Sequence, residues 1–264
     1  MKRIYICFPE GKNKVFTLSY DDGKNADKRL VEIFNKYKIK ATFHLNSGLL
    51  GTTDRVGEDE VEELYKGHEV AIHTFNHPTI SRTPKEELVL QIFEDRKILE
   101  KIVGYPVRGM SYPNGSYTEE IVKLLPHMGI EYSRVVGGHE TYNIPENFLK
   151  WQSTCHHKQN ALKHVKEFLS LSKMQYLYML YIWGHSYEFD NDNNWDLIEE
   201  VCEKMSFKDD IWYATNIEIV DYLNATKNLK FNVERTQVIN MSNIDIWLDI
   251  DGIKKKISSG INEI

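Results

Sequence analysis

Residues 15–23, VFTLSYDDG, decide the fold class. The first six are typical of a buried strand, and the acidic pair with its glycine marks the point where this strand ends. A helical pattern follows at residues 25–37, and short apolar strands alternate with helices through most of the chain. This alternation predicts an α/β fold with a parallel sheet. Seven or so strand–helix units fit a (β/α) barrel, in which functional residues gather at the C-terminal ends of the strands.

The clearest helix is predicted at residues 83–103. Thr83 is its expected cap, Pro84 takes the first helical position, and Glu86 completes a capping box. Gly104 follows the last apolar position and is expected to end the helix.

The tail of the chain has a different character. Residues 244–250 and 253–257 predict two strands, and Asp251-Gly252 between them is a strong signal for a hairpin turn. We therefore expect a barrel domain at residues 1–228 and a small C-terminal β-hairpin appendage at residues 229–264 that packs on it.

Composition excludes several classes of partner. The chain has 264 residues and a formal net charge of −6, which gives no reason to expect a nucleic acid or an anionic membrane as partner.

Cys7, Cys155 and Cys202 are odd in number and widely spaced, so we expect reduced, mostly buried thiols. The apolar run near the N-terminus is too short for a secretory signal, and no stretch approaches the ~20 apolar residues that cross a membrane. These features predict a cytoplasmic protein.

Two motifs at predicted strand ends carry ligand chemistry. The adjacent carboxylates of Asp21 and Asp22 are costly to bring together without a cation or hydrogen-bond donors, although a solvated turn is the alternative. His73 and His77 can meet one metal ion from a single turn, and a pair of surface or core histidines is the alternative. Since a barrel brings strand ends to one face, Asp22, His73 and His77 can together form a two-histidine, one-carboxylate site with open positions.

Two further motifs lie at later strand ends. In RGMSYPNG, residues 108–115, Pro113 and Gly115 fix a turn whose N–H groups can face a substrate oxygen. His185 follows the long apolar strand predicted at residues 175–183 and can serve as a general acid or base. A simple strand-to-helix connection and a hydrogen-bonded core histidine are the respective alternatives.

Taken in order, these motifs resemble the polysaccharide deacetylase family, also described as the NodB homology domain or carbohydrate esterase family 4. The resemblance covers residues 14–225. It implies a distorted (β/α)7 barrel, one divalent metal ion, and removal of acetyl groups from an N-acetylated or O-acetylated sugar or oligosaccharide. Zinc is the first expectation for the metal, and cobalt, manganese, nickel or iron also suit nitrogen and oxygen donors.

The resemblance also implies a role for each matching residue. Asp21 corresponds to the catalytic base of the family. Asp22, His73 and His77 correspond to its metal ligands. His185 corresponds to its general acid.

The third and fourth family motifs match less closely. Arg108 corresponds to the arginine that holds the catalytic aspartate, and Asn114 to the residue whose backbone N–H contacts the oxyanion. The carboxylate that orients the acid has no counterpart in WQSTCHH, residues 151–157. Glu188 or one of the two histidines in that stretch is left to substitute for it.

Aromatic rings beside the third and fourth motifs are candidates for contact with a sugar, because sugar faces stack on such rings. The substrate-binding residues predicted on this basis are Tyr112, Pro113, Asn114 and Trp183.

Two other functions remain open from the sequence. A cyclic-amide hydrolase of the same superfamily, resembling allantoinase-like members, ranks second because those proteins tend to lose the metal ligands that this chain retains. A non-catalytic carbohydrate-binding descendant would account for the missing fourth motif. A binding module, however, does not require a general base or a general acid.

Overall fold

The computed structural model describes residues 2–264. In chain order, the strands are β1 (Ile4–Cys7), β2 (Lys14–Asp21), β3 (Thr42–Leu45), β4 (Glu69–Ile72), β5 (Gly109–Ser111), β6 (Tyr132–Arg134), β7 (Cys155–His156), β8 (Tyr178–His185), β9 (Ile211–Tyr213), β10 (Lys230–Phe231), β11 (Gln237–Asn240), β12 (Ile246–Ile250), β13 (Ile253–Ile257) and β14 (Gly260–Glu263). The α-helices are α1 (Asp27–Lys36), α2 (Val61–Leu64), α3 (Lys85–Val103), α4 (Glu119–Leu124), α5 (Ala161–Ser170), α6 (Tyr187–Asn191), α7 (Trp195–Met205) and α8 (Asn216–Lys227).

The main sheet is parallel and has the order β6-β5-β4-β3-β2-β8-β7, with β9 also paired to β2. Strand β2 has three neighbours in this sheet. It pairs with β8 along its whole length, while its first three residues pair with β9 and its last three with β3. Helices connect these strands, and the expected distorted (β/α)7 barrel is confirmed.

Helix packing follows the apolar spacing of the sequence. On α1, Leu30 and Phe34 are four residues apart and are fully buried in the main core. Helix α3 ends at Gly104, whose φ of 75° is the left-handed conformation of a helix C-terminus. The predicted cap of α3 is wrong: the Thr83 hydroxyl donates to the Thr79 carbonyl oxygen (3.2 Å) and does not accept a hydrogen bond from a helix N–H.

A polar group lies inside the barrel sheet. The Glu69 carboxylate, at the start of β4, accepts hydrogen bonds from the Thr42 hydroxyl (2.8 Å), the Tyr132 hydroxyl (2.7 Å) and the Ile217 backbone N–H (2.8 Å). Burial raises the pKa of Glu69 to about 7 despite these donors. This carboxylate therefore ties β3, β4 and β6 to the first turn of α8.

The C-terminal strands pack against the barrel together with the first strand. The β12–β13 hairpin turns at Asp251 (φ 52°) and Gly252 (φ 91°), as the sequence predicts for a two-residue turn. Strand β1 pairs antiparallel with β12, and β10, β11 and β14 form a second small sheet. The Tyr222 hydroxyl of α8 donates to the Cys7 carbonyl oxygen (2.6 Å) and accepts from the Trp247 N–H (3.0 Å). The C-terminal sheet thus includes an N-terminal strand.

Among residues 2–264, no helix combines the length and the apolar character needed to cross a bilayer. The three cysteines are all buried.

Candidate active site

The expected ligand residues lie at the C-terminal ends of two strands of the barrel sheet. Asp22 directly follows β2 and His73 directly follows β4, with β3 between these strands. The Asp22 N–H donates to the His44 carbonyl oxygen (2.9 Å), and the His73 N–H donates to the Leu45 carbonyl oxygen (2.7 Å). Both side chains therefore start from positions that the sheet fixes.

The side chains of Asp22, His73 and His77 converge. Each offers one ligand atom, and these atoms all lie within 4.8 Å of one another. His77 Nε2 lies 3.8 Å from Asp22 Oδ1, and the rings of His73 and His77 have centroids 4.7 Å apart and an interplanar angle of 65°. The fold brings together the three residues that the sequence selects.

His73 is held in the state that a metal ligand needs. Its Nδ1 lies 2.9 Å from the Ser111 carbonyl oxygen, which can only accept, so the proton is on Nδ1 and the lone pair is on Nε2. Burial lowers the pKa of His73 to about 4, so the ring is neutral near pH 7. Two imidazoles and a carboxylate are a donor set of catalytic zinc and related ions, and the cluster fits a divalent metal ion.

A buried carboxylate anchors the loop that carries His73. Asp95, on α3, accepts hydrogen bonds from the backbone N–H groups of Ser47 (2.6 Å) and His73 (3.1 Å), and burial raises its pKa to about 7. The Asn46 amide donates to the carbonyl oxygens of His73 (2.6 Å) and Thr74 (2.8 Å). Sequence reasoning missed both residues, because bonds from side chains to a distant backbone leave no spacing pattern.

Four non-glycine residues around this cluster have left-handed backbone conformations: Asp22 (φ 86°), Thr74 (φ 65°), His77 (φ 62°) and Asn114 (φ 55°). Such conformations cost on the order of 1–3 kcal/mol each and persist where the surroundings enforce them. Their concentration at one edge of the sheet supports a functional role for this edge.

Asp21 lies beside the ligand cluster and is 2% exposed. Its Oδ2 forms an ion pair with Arg134, while its Oδ1 lies 3.1 Å from His44 Nδ1 and accepts a hydrogen bond from the Ser111 hydroxyl (3.1 Å). Burial alone would raise the pKa of Asp21, but the Arg134 guanidinium, followed by His73 and His44, holds it well below its usual value. Asp21 is therefore a buried, ionised carboxylate.

The expectation that Arg108 holds Asp21 is wrong. The Arg108 guanidinium forms two hydrogen bonds of 2.7 Å with the Asp221 carboxylate and one of 3.0 Å with Glu131, and its side chain is about one-third exposed. Arg108 lies just before β5, so its side chain joins that strand to α8 and β6 at the opposite end from the carboxylate pair.

The arginine beside Asp21 is Arg134, the last residue of β6. It is fully buried, and its guanidinium carbon lies 3.9 Å from the centroid of the Trp183 ring. Arg134 is missing from the residues predicted from the sequence. The available signal was an arginine within the short run YSRVV, residues 132–136, since a buried arginine requires a partner.

His185 lies beside Asp21 on the neighbouring strand, because the two residues are register partners on β8 and β2. The Glu188 carboxylate faces His185 twice: its Oε2 accepts the His185 backbone N–H (3.1 Å) and lies 3.2 Å from Nδ1. Burial would lower the pKa of His185, but the contact with Glu188 and the nearby charges of Asp21 and Asp22 outweigh it, so the pKa is raised. Glu188 thus stands where the acid-orienting carboxylate was missing.

The predicted substrate contacts are only partly accessible. Tyr112 is fully buried and its hydroxyl donates to the Leu149 carbonyl oxygen (2.8 Å), so the expectation that it contacts a sugar is wrong. Trp183 is 5% exposed, with Nε1 donating to the Gly137 carbonyl oxygen (2.9 Å), and it packs on Arg134 instead of facing outward.

The other two predicted substrate-binding residues, Pro113 and Asn114, lie in the turn that follows Tyr112. Pro113 is buried within it, and Asn114 is exposed at its left-handed position. Tyr187 is half-buried, with its ring centroid 5.3 Å from that of His185. The aromatic ring available beside the candidate acid is therefore Tyr187.

Two histidines and a carboxylate lie at the C-terminal edge of a parallel barrel, beside a buried ionised aspartate, and this arrangement is compatible with a metal-assisted hydrolase site. Residues 9–133 match the model of the polysaccharide deacetylase family. The resemblance seen in the sequence motifs is confirmed.

Comparison with curated proteins gives partial matches. The chain is 32% identical over 110 residues to a peptidoglycan-N-acetylmuramic acid deacetylase of Bacillus subtilis. That match covers 41% of this chain and 23% of the relative, so this chain spans only about a quarter of the relative's length.

Comparison with solved structures covers most of the chain. A protein assigned to the polysaccharide deacetylases of Mycobacterium smegmatis aligns with a TM-score of 0.62 and 14% identity, over 84% of this chain and 94% of that one. A carbohydrate esterase domain of a multidomain xylanase from the hindgut metagenome of Trinervitermes trinervoides aligns with a TM-score of 0.57 and 15% identity, over 83% and 96%. At these identities the likeness shows the fold.

Proposed function

We propose that this protein is a metal-dependent hydrolase that removes acetyl groups from an N-acetylated or O-acetylated sugar or oligosaccharide. The observation that carries the proposal is the position of Asp21, a buried and ionised carboxylate whose Oδ2 lies 3.9 Å from Nε2 of the candidate ligand His73. A general base next to a metal site, with a general acid on the neighbouring strand, suits hydrolysis of an amide or ester.

The metal would be held by Asp22, His73 and His77, whose donor atoms are grouped closely enough for one ion. When bound, a divalent ion supplies an acidified water and stabilises negative charge that develops on a carbonyl oxygen. His73 is prepared for this role because Ser111 fixes the tautomer that leaves Nε2 free.

Asp21 acts as the general base. Because Arg134 keeps it ionised, it can accept a proton from the water that attacks the acetyl carbonyl. His44 and Ser111 occupy its other oxygen, so the carboxylate is fixed in orientation. The backbone N–H of Asn114, in its left-handed turn, is the proposed contact for the oxyanion.

His185 acts as the general acid. Glu188 holds its Nδ1 side, which leaves Nε2 to protonate the departing amine or alkoxide. The raised pKa of His185 favours the protonated form that this step consumes.

The proposed substrate class is supported by the family match and by the named activity of the Bacillus subtilis relative, which acts on an acetylated amino sugar of peptidoglycan. Tyr187, beside His185, is the aromatic surface that we assign to the sugar ring.

The test is an acetate-release screen on N-acetylglucosamine oligomers and O-acetylated xylo-oligosaccharides, with purified protein before and after chelator treatment. We expect acetate release that chelation abolishes and added Zn²⁺ or Co²⁺ restores. Sugar binding measured by calorimetry without any acetate release would favour a carbohydrate-binding protein. Opening of a cyclic amide without acetate release would favour the second hydrolase activity.

A further inference from the structure

A second group of potential metal ligands lies behind His185. It consists of His156 and His157, at the end of β7, and Glu188, at the start of α6. Each offers one ligand atom, and these atoms all lie within 4.8 Å of one another. None of the three belongs to the cluster of Asp22, His73 and His77.

The distances within this group suit a metal ion of small radius. Glu188 Oε2 lies 3.0 Å from His156 Nε2 and 3.4 Å from His157 Nε2. Donors that sit 2.0–2.2 Å from a tetrahedral zinc ion are about 3.3 Å apart, which is the spacing observed here. The carboxylate is ionised, because the contacts with His156 and His185 lower the pKa of Glu188 against the effect of its burial.

His157 provides an independent indication of a missing ligand. It is 2% exposed, yet neither of its ring nitrogens has a hydrogen-bond partner among residues 2–264. Its ring stacks on Tyr20 (centroids 5.9 Å apart) and Phe189 (4.3 Å), and its Nε2 lies 3.4 Å from Glu188 Oε2.

We propose that His156, His157 and Glu188 form a second site for a divalent transition metal such as Zn²⁺, and that its occupation takes Glu188 away from His185. The site has nitrogen and oxygen donors and leaves a fourth position for water. Because the oxygen that faces both histidines also lies 3.2 Å from His185 Nδ1, a bound ion competes directly for it. Metal binding here is therefore inhibitory, and only this inhibitory effect rests on the proposed deacetylase function.

Two contacts make the second site weaker than the first. The Lys158 N–H donates to His156 Nδ1 (3.2 Å), and this hydrogen bond is lost when Nε2 binds a metal and the proton moves to Nδ1. The Lys158 ammonium lies 3.3 Å from Glu188 Oε1, which places a positive charge near the ion. We therefore expect the second metal to bind only after the first.

The test is calorimetric titration of chelator-stripped protein with Zn²⁺, checked by metal analysis after equilibrium dialysis. Wild type is expected to bind two equivalents in two phases. His156→Gln, at a half-buried residue, is expected to lose the weaker phase alone, while His73→Ala loses the tighter phase alone. His127→Gln, at an exposed histidine outside both groups, is the matched control and retains both.

A wild type that binds a single equivalent overturns the proposal, as does a second equivalent that survives in both His156→Gln and Glu188→Gln. These readouts do not depend on acetate release, so a failure of the proposed function is seen separately. Where acetate release is found, excess Zn²⁺ is expected to inhibit wild type at least tenfold more strongly than His156→Gln.

Discussion

At the scale of single residues, the proposed chemistry depends on one buried carboxylate. Asp21→Asn keeps the shape and the neutral contacts of the side chain but removes the proton acceptor. Because general base catalysis contributes on the order of 10²- to 10⁴-fold, acetate release is expected to fall by that factor while metal content is unchanged. Metal analysis and an acetate assay on the same preparation measure both quantities, and undiminished turnover would refute the role of Asp21.

The ion pair between Asp21 and Arg134 gives a prediction on stability. Arg134→Gln leaves an uncompensated buried charge, which costs about 3–5 kcal/mol of unfolding free energy. Arg108→Gln removes a partly exposed ion pair with Asp221, for which about 1 kcal/mol or less is expected. Urea denaturation of the two variants and wild type tests the contrast. Equal losses would mean that Arg134 is not the arginine that supports Asp21.

The candidate site was predictable where a motif and a strand end coincide. Asp21 and His185 end strands, and Asp22 and His73 directly follow strands, so the barrel alone predicts their common location. His77 lies four residues after His73, within reach of the same edge. Their roles in catalysis and metal binding remain predictions.

The supporting residues were not predictable in the same way. Arg134 meets Asp21 across 113 residues of chain, between strands that are not neighbours in the sheet, and no local spacing encodes such a pair. Ser111 lies in the quoted third motif, yet its link between Asp21 and His73 is visible only in three dimensions.

At the scale of secondary structure, the buried Glu69 of β4 is expected to make the free energy of unfolding depend on pH. Its pKa is about 7 in the folded protein and near 4.3 in an unfolded chain, so the folded state holds the proton more tightly. Folding stability is therefore lost as the pH rises between these two values. The loss attributable to Glu69 is roughly 2–3 kcal/mol.

The matched measurement uses Glu69→Gln, which keeps the shape without a titrating group. We expect wild type to lose stability relative to this variant between pH 5 and pH 8 in urea denaturation. A constant difference between the two proteins across that range would contradict the raised pKa.

The longer elements were predicted well because apolar periodicity is strong over several turns or a full buried strand, as in α1, α3 and β2. The two-residue strands β7 and β10 are too short to produce a pattern. Strand β1 was missed for a different reason. Its pairing with β12 joins residues more than 200 positions apart, and only the assembled molecule shows it.

At the scale of the whole molecule, the C-terminal sheets complete the core. Val238, Ile246, Leu248 and Ile257 are fully buried in the second hydrophobic cluster. Each such side chain contributes about 1.5–3 kcal/mol, against a total stability of typically 5–15 kcal/mol. We expect a chain that ends at residue 228 to be unfolded or insoluble, as measured by circular dichroism and thermal melting.

Two point variants test how much side-chain packing in this region contributes to stability, without shortening the chain. Leu248→Ala is expected to cost about 2–5 kcal/mol because the site is buried. Ile253→Ala, on the paired strand and 72% exposed, is expected to change stability by less than about 0.5 kcal/mol. A truncated chain that melts at the wild-type temperature would show that the barrel folds without residues 229–264.

The pairing of β2 with three other strands has a consequence for how this protein can change. Three neighbouring strands hold it, and both carboxylates stand at its end. The proposed catalytic carboxylates therefore lie on a strand held from several sides, whereas the proposed substrate contact at Asn114 lies in a turn. If the proposed function holds, exchanging that turn is expected to change the preferred substrate without moving the carboxylates.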